Sequence, residues 1–384
     1  MATGIFVSYR GYLEGPRGGV QVCTQEYIEV IKAAGVDLRF CPFEGDRRLS
    51  TRILRRVVSS GYFRPAEFAV LDTLAQLVAE RQPDFVFLNQ VALAPLARKI
   101  RHRVPIACKI VVLSHGLEST DLLHFIRLRR RFPLSGRVRP SPALALGQAI
   151  HCENRSRAHV DFVCALSPFD AHLEQWVGAA HVDWLPRVVE PAPLDWLPLG
   201  TRLGFVGTLD HAPNMEGIVE VLERLSLRND AVRLRIRVVG GPTVTGKWLQ
   251  QKYPLVDYLG PLDDSKLREE ARTWNGFLHP IFCYPRGCST KLATAISWGI
   301  PIITTPPGHR GYTWKTGSLL LAETPDDFAS VCVQLLDRTR AEEARHGVLR
   351  VGASSPRTND VAAELRVMLG LNPSKSLKRQ HSPN

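Results

Sequence analysis

The residues with the greatest chemical capacity fall in one stretch. His279-Pro280 is followed by Pro285-Arg286-Gly287-Cys288-Ser289-Thr290-Lys291, and the chain then runs on as Leu292-Ala293-Thr294-Ala295-Ile296-Ser297-Trp298-Gly299-Ile300-Pro301. A glycine-bearing loop meets a helix start there, with hydroxyls at Ser289 and Thr290 and a cation at Lys291. Free N–H groups, a helix dipole and an ammonium together make a cradle for a diphosphate. Arg286 adds a second, fork-shaped cation suited to bidentate contact. The plain alternative is a surface loop carrying a lysine; the joint pattern favours binding.

Other candidates lie where strands give way to glycine. Gly15-Pro16-Arg17-Gly18-Gly19 leads into a helix from Val20, so the backbone near Gly18 and Gly19 can approach an anion. The spacing is not Gly-x-Gly-x-x-Gly, and no Gly-Lys-Ser/Thr phosphate loop occurs. The run Lys109–Ser114 ends in His115-Gly116, with Glu118 and Asp121 just after. A histidine there can bond a sugar hydroxyl or meet a shifting charge, or else it caps backbone groups at a helix start. Phe205-Val206-Gly207-Thr208, followed by Asp210, His211, Pro213 and Asn214, and Val238-Val239-Gly240-Gly241 are strand-to-glycine turns. Either turn could admit a base or a phosphate, and either alone is equally well a plain connection. The eight cysteines form no Cys-x-x-Cys pair and several sit in apolar runs, so buried thiols are expected and neither a zinc site nor a disulfide framework.

These residues need a scaffold, and the apolar pattern supplies one. Short β-branched runs at Gly4–Ser8, Asp84–Leu88, Lys109–Ser114 and Phe162–Leu166 read as buried parallel strands. A second series follows at Arg202–Gly207, Val232–Val239, Gly276–Pro280 and Ile300–Thr304. Amphipathic stretches at helical spacing separate them, among them Val20–Ala34, Phe68–Glu80, Asp170–Val177 and Ser265–Trp274. This is an α/β chain with parallel sheets covered on both faces. Its 384 residues suit two domains. The Pro-rich stretch 191–200 reads as a linker between residues 1–190 and 201–355. A C-terminal helix is expected over 356–372, crossing back to the first domain being one option, and 373–384 reads as a solvated tail. The composition excludes wholesale disorder, with 45% hydrophobic and 22% charged residues. No signal peptide or membrane-length apolar run is evident, which leads to the expectation of a cytoplasmic chain.

In its second half the sequence resembles the nucleotide-sugar domain of GT-B glycosyltransferases, in particular glycosyltransferase family 4. The resemblance rests on Leu185-Pro186-Arg187-Val188-Val189-Glu190, on Gly204–Gly207 with Pro213-Asn214, and on Tyr258-Leu259-Gly260. It is most specific in Gly287-x-x-x-Lys291-x-x-Thr294-Ala295 followed by Gly299-x-Pro301, with Thr304-x-x-x-Gly308-x-x-Gly311. In the first half Gly18-Gly19 and His115 stand where that family has its glycine loop and active-site histidine. The resemblance implies two Rossmann-like doubly wound domains, acceptor-binding then donor-binding, facing a central cleft. It further implies a nucleoside diphosphate sugar in that cleft, and retaining transfer to a glycan or lipid-linked acceptor, in cell-surface polysaccharide or glycoconjugate synthesis. Lys291 and Gly287–Thr290 would hold the diphosphate, while Gly207, Asn214, Gly240, Arg286 and Thr294 complete the donor set and His115 faces the transferred sugar. No cofactor and no metal ion are implied, since cations and a helix dipole neutralise the leaving group, and the sequence has no Asp-x-Asp triplet. Two departures stand out. Where the family often has two glutamates eight positions apart, this chain has Arg286 and Thr294. Where a cation commonly follows the Gly207 turn, it has His211 and Asn214.

The formal net charge is +12, from 49 Lys+Arg against 37 Asp+Glu, and two one-signed arginine clusters stand in the first half. One cluster holds Arg47, Arg48, Arg52, Arg55, Arg56 and Arg64; another holds Arg127, Arg129, Arg130, Arg131, Arg137 and Arg139. With Tyr62, Phe63, Leu128 and Phe132 interleaved, they suit an anionic membrane surface and make Arg52, Arg55, Arg56, Arg129, Arg130 and Arg131 a candidate acceptor or membrane patch. Nucleic-acid binding is a lesser reading, because no recognition helix or stacking platform accompanies the arginines. A catalytically silent glycosyltransferase-like subunit is the other alternative, motivated by Thr294.

Overall fold

The computed structural model describes residues 2–15, 18–44, 68–103, 108–128, 131–132 and 141–371. They form two α/β lobes, each built on a parallel sheet.

In the first lobe the strands are β1 (Ala2–Tyr9), β2 (Val36–Phe43), β3 (Phe85–Asn89), β4 (Lys109–Leu113), β5 (Phe162–Ala165) and β6 (Val182–Trp184). Their spatial order is β2-β1-β3-β4-β5-β6. The helices are α1 (Arg10–Leu13), α2 (Gly19–Ala33), α3 (Phe68–Arg81), α4 (Leu96–Arg103), α5 (Glu118–Leu128), α6 (Pro142–Arg157) and α7 (Pro168–Trp176). Successive side chains alternate between two cores: Phe6, Phe87, Val111 and Cys164 face one, and Ile5, Val7, Val86 and Val112 the other. A strand buried on both faces needs apolar residues at every position, hence the unbroken runs in the sequence.

The second lobe orders its strands β12-β11-β10-β7-β8-β9. They are β7 (Arg202–Val206), β8 (Arg235–Val239), β9 (Val256–Gly260), β10 (Gly276–His279), β11 (Ile302–Thr304) and β12 (Leu320–Leu321). Its helices are α8 (Ala212–Ser226), α9 (Thr243–Lys252), α10 (Asp264–Ala271), α11 (Thr290–Trp298), α12 (Pro306–His309), α13 (Pro325–Gln334), α14 (Arg338–Ser354) and α15 (Thr358–Leu369). The strand order reverses between β1 and β3 in one lobe and between β7 and β10 in the other. Such switch points open crevices at the carboxyl ends of strands.

Residues 191–200 contain no helix or strand, yet they are strapped to the second lobe. Ala192 and Leu194 N–H groups donate to Ser297 and Trp298 carbonyls, and the buried Trp196 indole donates to Trp274 O at 2.7 Å. α15 returns to the first lobe, where Arg366 donates to the Ala34 carbonyl at 2.9 Å and to the Ala33 carbonyl at 3.1 Å, at the C-terminal end of α2. Among the described residues no helix is long and apolar enough to cross a membrane.

Candidate active site

A cavity of about 1060 Å³ lies between the lobes and gathers most of the candidate residues: Gly18, Gly19, His115, Asn214, Arg286, Gly287, Ser289, Thr290, Lys291 and Thr294 all line it. Two helix starts meet there. α2 begins at Gly18, which has no side chain to cap it, and α11 begins at Ser289, whose hydroxyl makes no cap bond. A methyl group placed on Gly19 would lie 3.4 Å from Thr290 Oγ1, so the two N-termini face each other at close range. Unpaired N–H groups from both lobes therefore converge on one anion-sized space.

Lys291, on the first turn of α11, is half-buried and has no carboxylate partner among the described residues. Burial pushes its ammonium down to about 8. Its seat is built from glycines. A side chain at Gly207 would come within 3.0 Å of Lys291 Nζ, and one at Gly240, whose φ is +134°, would strike the Gly207 carbonyl oxygen at 1.9 Å. Gly207 and Gly240 are thus not wall residues, as the sequence pattern implies. They lie one layer back, and their bareness lets the lysine in.

The loop before α11 is held from three directions. Arg310 donates through Nη2 to Pro285 O (2.6 Å) and Gly287 O, and through Nη1 to Pro307 O (2.7 Å). Gly287 N–H donates to Asp170 Oδ1 across the cleft at 3.2 Å. Gly287 has φ +62°, and a Cβ there would sit 2.5 Å from His115 O, so only glycine fits against the opposite lobe. The Tyr312 hydroxyl donates to Ser289 O at 2.5 Å and accepts from Ala293 N–H at 3.1 Å, fixing the first turn of α11. Arg310, Asp170 and Tyr312 escape a reading of local sequence, although Arg310 and Tyr312 bracket a glycine that the motif includes.

Arg286 is not a loose second cation. It pairs with Glu118 and, at 3.5 Å, with Asp121, both on α5 of the first lobe. Asp121 also accepts from Arg286 N–H at 3.2 Å and approaches His211 Nε2 at 3.6 Å. Burial raises the Asp121 carboxyl, but the His211 bond and the Arg286 charge outweigh it and hold it below its ordinary value. Thr294 is exposed and its hydroxyl turns back to Thr290 O at 3.3 Å. Asn214 donates to Thr208 O at 3.0 Å and so shapes the turn after β7.

His115 is buried, with Nε2 3.0 Å from Asn89 Oδ1. Asn89 Nδ2 donates to Ser8 Oγ (2.9 Å) and Thr24 Oγ1 (3.0 Å), which fixes the amide's orientation. Nε2 is therefore the protonated nitrogen and Nδ1 the acceptor. Burial, then the charges of Arg286 and Arg187, push the imidazole down to about 3. It is a neutral hydrogen-bonding group at any ordinary pH. Asn89, its orienting partner, closes an apolar run at a strand's carboxyl end, which is the one local signal that marks it.

Of the basic patch, Arg131 alone is described; Arg52, Arg55, Arg56, Arg129 and Arg130 lie outside the described residues. Arg131 does not belong to an unopposed positive face. It meets Glu220 at 2.5 Å and Glu223 at 3.4 Å, and Arg127 meets Glu216 at 2.6 Å, all three carboxylates being on α8 of the other lobe. The carboxylates missing from the local sequence arrive from 89 or more residues away.

Two lobes of this topology with a cleft between their carboxyl edges define the GT-B fold. A sucrose-phosphate synthase of Thermosynechococcus elongatus superimposes with a TM-score of 0.65 at 16% identity, over 97% of this chain and 99% of that one. Anabaena HepE in complex with UDP and glucose gives 0.62 at 13% identity, over 97% and 100%. The apo lipopolysaccharide outer core galactosyltransferase WaaB gives 0.58 at 14%, over 97% and 99%. Residues 200–338, which hold Lys291 and its loop, match the family model described as Glycosyl transferases group 1. No curated protein matches the sequence.

Proposed function

We propose that the protein is a glycosyltransferase that moves a sugar from a nucleoside diphosphate sugar to a hydroxyl of a glycan or lipid-linked acceptor, with retention and without a metal ion. The observation that carries this reading is Lys291, a half-buried ammonium with no carboxylate partner among the described residues, set at the uncapped start of α11 and facing the start of α2. A diphosphate supplies the missing countercharge. As the bond between the sugar and the diphosphate breaks, Lys291 and the helix N–H groups stabilise the developing negative charge. His115, neutral and with Nδ1 as acceptor, receives a hydroxyl of the transferred sugar. With its basicity this low it does not take the acceptor's proton, which passes to the departing diphosphate oxygen on the face of attack. The solved likeness of HepE with UDP and glucose, and the group 1 match over the donor lobe, support the same reading.

Thermal unfolding with a panel of nucleoside diphosphates tests it. A ligand at about 100 times its Kd adds about 2.7 kcal/mol of stability. No stabilisation by any nucleotide overturns the proposal. A second reading, a binding subunit without turnover, is favoured by Thr294, whose hydroxyl is turned to its own helix where the resembling family has a glutamate. Stabilisation without transfer or donor hydrolysis, across nucleotide sugars and acceptors, selects it.

A further inference from the structure

The loop that leads into α11 is bonded in two different ways by the two lobes. Its carbonyl groups are held from within the second lobe: Arg310 donates to Pro285 O and Gly287 O, and the Tyr312 hydroxyl donates to Ser289 O. Its donor groups reach across the cleft, one residue after another. Arg286 N–H donates to Asp121 Oδ1 at 3.2 Å and Gly287 N–H to Asp170 Oδ1 at 3.2 Å. The Cys288 thiol, shared with Arg310 O, reaches Leu166 O at 3.0 Å. Asp121, Asp170 and Leu166 all belong to the first lobe. Bare backbone permits this approach: a Cβ on Gly116, whose φ is +88°, would lie 2.3 Å from Gly287 N.

Asp121 holds more than one N–H. Its Oδ1 also approaches His211 Nε2 at 3.6 Å, and its Oδ2 approaches Arg286 Nε at 3.5 Å. His211 stands at the N-terminal boundary of α8, on the turn that starts at Gly207, and its N–H donates to Thr208 O at 3.3 Å. This turn and the loop before α11 are the two segments that frame Lys291. Gly207 leaves room for the lysine Nζ, and the loop sets the helix start that carries the residue. One first-lobe carboxylate therefore ties together both second-lobe segments around the lysine. The bonds form only where the lobes meet.

We propose that Asp121 is a positioning residue of the donor site: it fixes the two segments that frame Lys291, so that affinity for a nucleoside diphosphate depends on contact between the lobes. The proposal rests on the transferase reading and adds to the donor site a residue from the opposite lobe. Electrostatics gives it a sign. Asp121 lines the cavity, and a carboxylate there repels a bound diphosphate. If it acted by its own charge alone, its removal would tighten binding. As the tie between two loops, its removal loosens binding instead.

Calorimetry on the full chain, with uridine, guanosine and adenosine diphosphates as probes, reads the affinity. Hydrogen exchange on the nucleotide-free protein reads the loop. Asp121→Ala is expected to weaken the diphosphate that binds the parent by about tenfold, the size of one lost charge-assisted bond. The peptide that contains the Arg286 and Gly287 amides is expected to exchange about tenfold faster, while peptides from β7 and β8 keep the parent's protection. Asp121→Asn keeps the side chain's shape and one acceptor oxygen, and is expected to fall between parent and Asp121→Ala in both readings. Affinity that is unchanged or tighter in these variants, loop exchange equal to the parent's, or faster exchange throughout both lobes each overturns the proposal. A parent protein that binds none of the diphosphates overturns the transferase reading; a parent that binds while Asp121→Ala binds equally well overturns this proposal alone.

Discussion

The two walls of the cleft come from sheets of similar build yet carry different side-chain chemistry. The second-lobe wall concentrates positive charge: Lys291, without a carboxylate partner among the described residues, on a helix start whose loop is pinned by Arg310. Among the described residues the first-lobe wall carries no Lys or Arg side chain, but the uncapped start of α2, an oriented imidazole, amides and Asp121. Both face the carboxyl ends of parallel strands, so the difference is not one of architecture. It lies in which side chains stand in the few loops that follow those strands. Side-chain chemistry can thereby change wall by wall on one scaffold.

Removing the charge from one wall is the largest perturbation. Lys291→Ala is expected to weaken nucleoside diphosphate binding by about 1.5–3 kcal/mol, the range for a charge-assisted bond, as read by calorimetry. Unchanged affinity would erase the contrast between the walls. On the other wall, Asn89→Leu strips the partner from His115 Nε2 and from two hydroxyls. A buried donor left unpaired costs roughly 1–3 kcal/mol, so the denaturant midpoint should fall while nucleotide affinity holds.

pH offers a reversible version of the first experiment. Lys291 in the ligand-free protein is charged below about 8 and neutral above it, whereas the diphosphate is already fully ionised there. Nucleotide affinity should therefore fall as pH rises through 8, by up to about tenfold per pH unit and about 1.4 kcal/mol, before levelling at the higher bound-state value. The Lys291→Ala variant should show no such slope. The smallest effect belongs to the rim. Arg131, whose side chain is 45% exposed, pairs with Glu220 and Glu223, and Arg131→Ala should cost no more than about 1 kcal/mol of stability. That loss should shrink further at high salt. A large, salt-independent loss would make the rim, rather than the walls, the principal bond between lobes.

What the sequence discloses follows a physical line. The interior strands β1, β3, β4, β5, β7, β8, β10 and β11 all coincide with apolar runs, because both their faces are buried. The strands that local pattern does not announce, β2, β6, β9 and β12, are the outer strands of the two sheets. Half-exposed edges such as Asp37, Arg39 and Asp183 break the runs. The same rule holds in the site. Lys291, Gly287 and His115 are legible because each sits beside a strand or helix boundary. Asn89, Asp170 and Arg310 act through partners 23 to 117 residues distant, and no local spacing encodes those meetings. Gly207 and Gly240 are legible as glycines needed for close approach, but what approaches Gly207 is a lysine of the same lobe and what approaches Gly240 is the Gly207 carbonyl.

The return of α15 to the first lobe has a consequence for biosynthesis. Val361, Ala362, Leu365 and Leu369 are buried, and the helix ends where Arg366 bonds the end of α2. On a translating ribosome the first lobe emerges early, yet the apolar surface that α15 covers stays wet until nearly the whole described chain has been made. The nascent first lobe is thus left with an unfinished side for most of its synthesis, the side on which a chaperone would have longest to act.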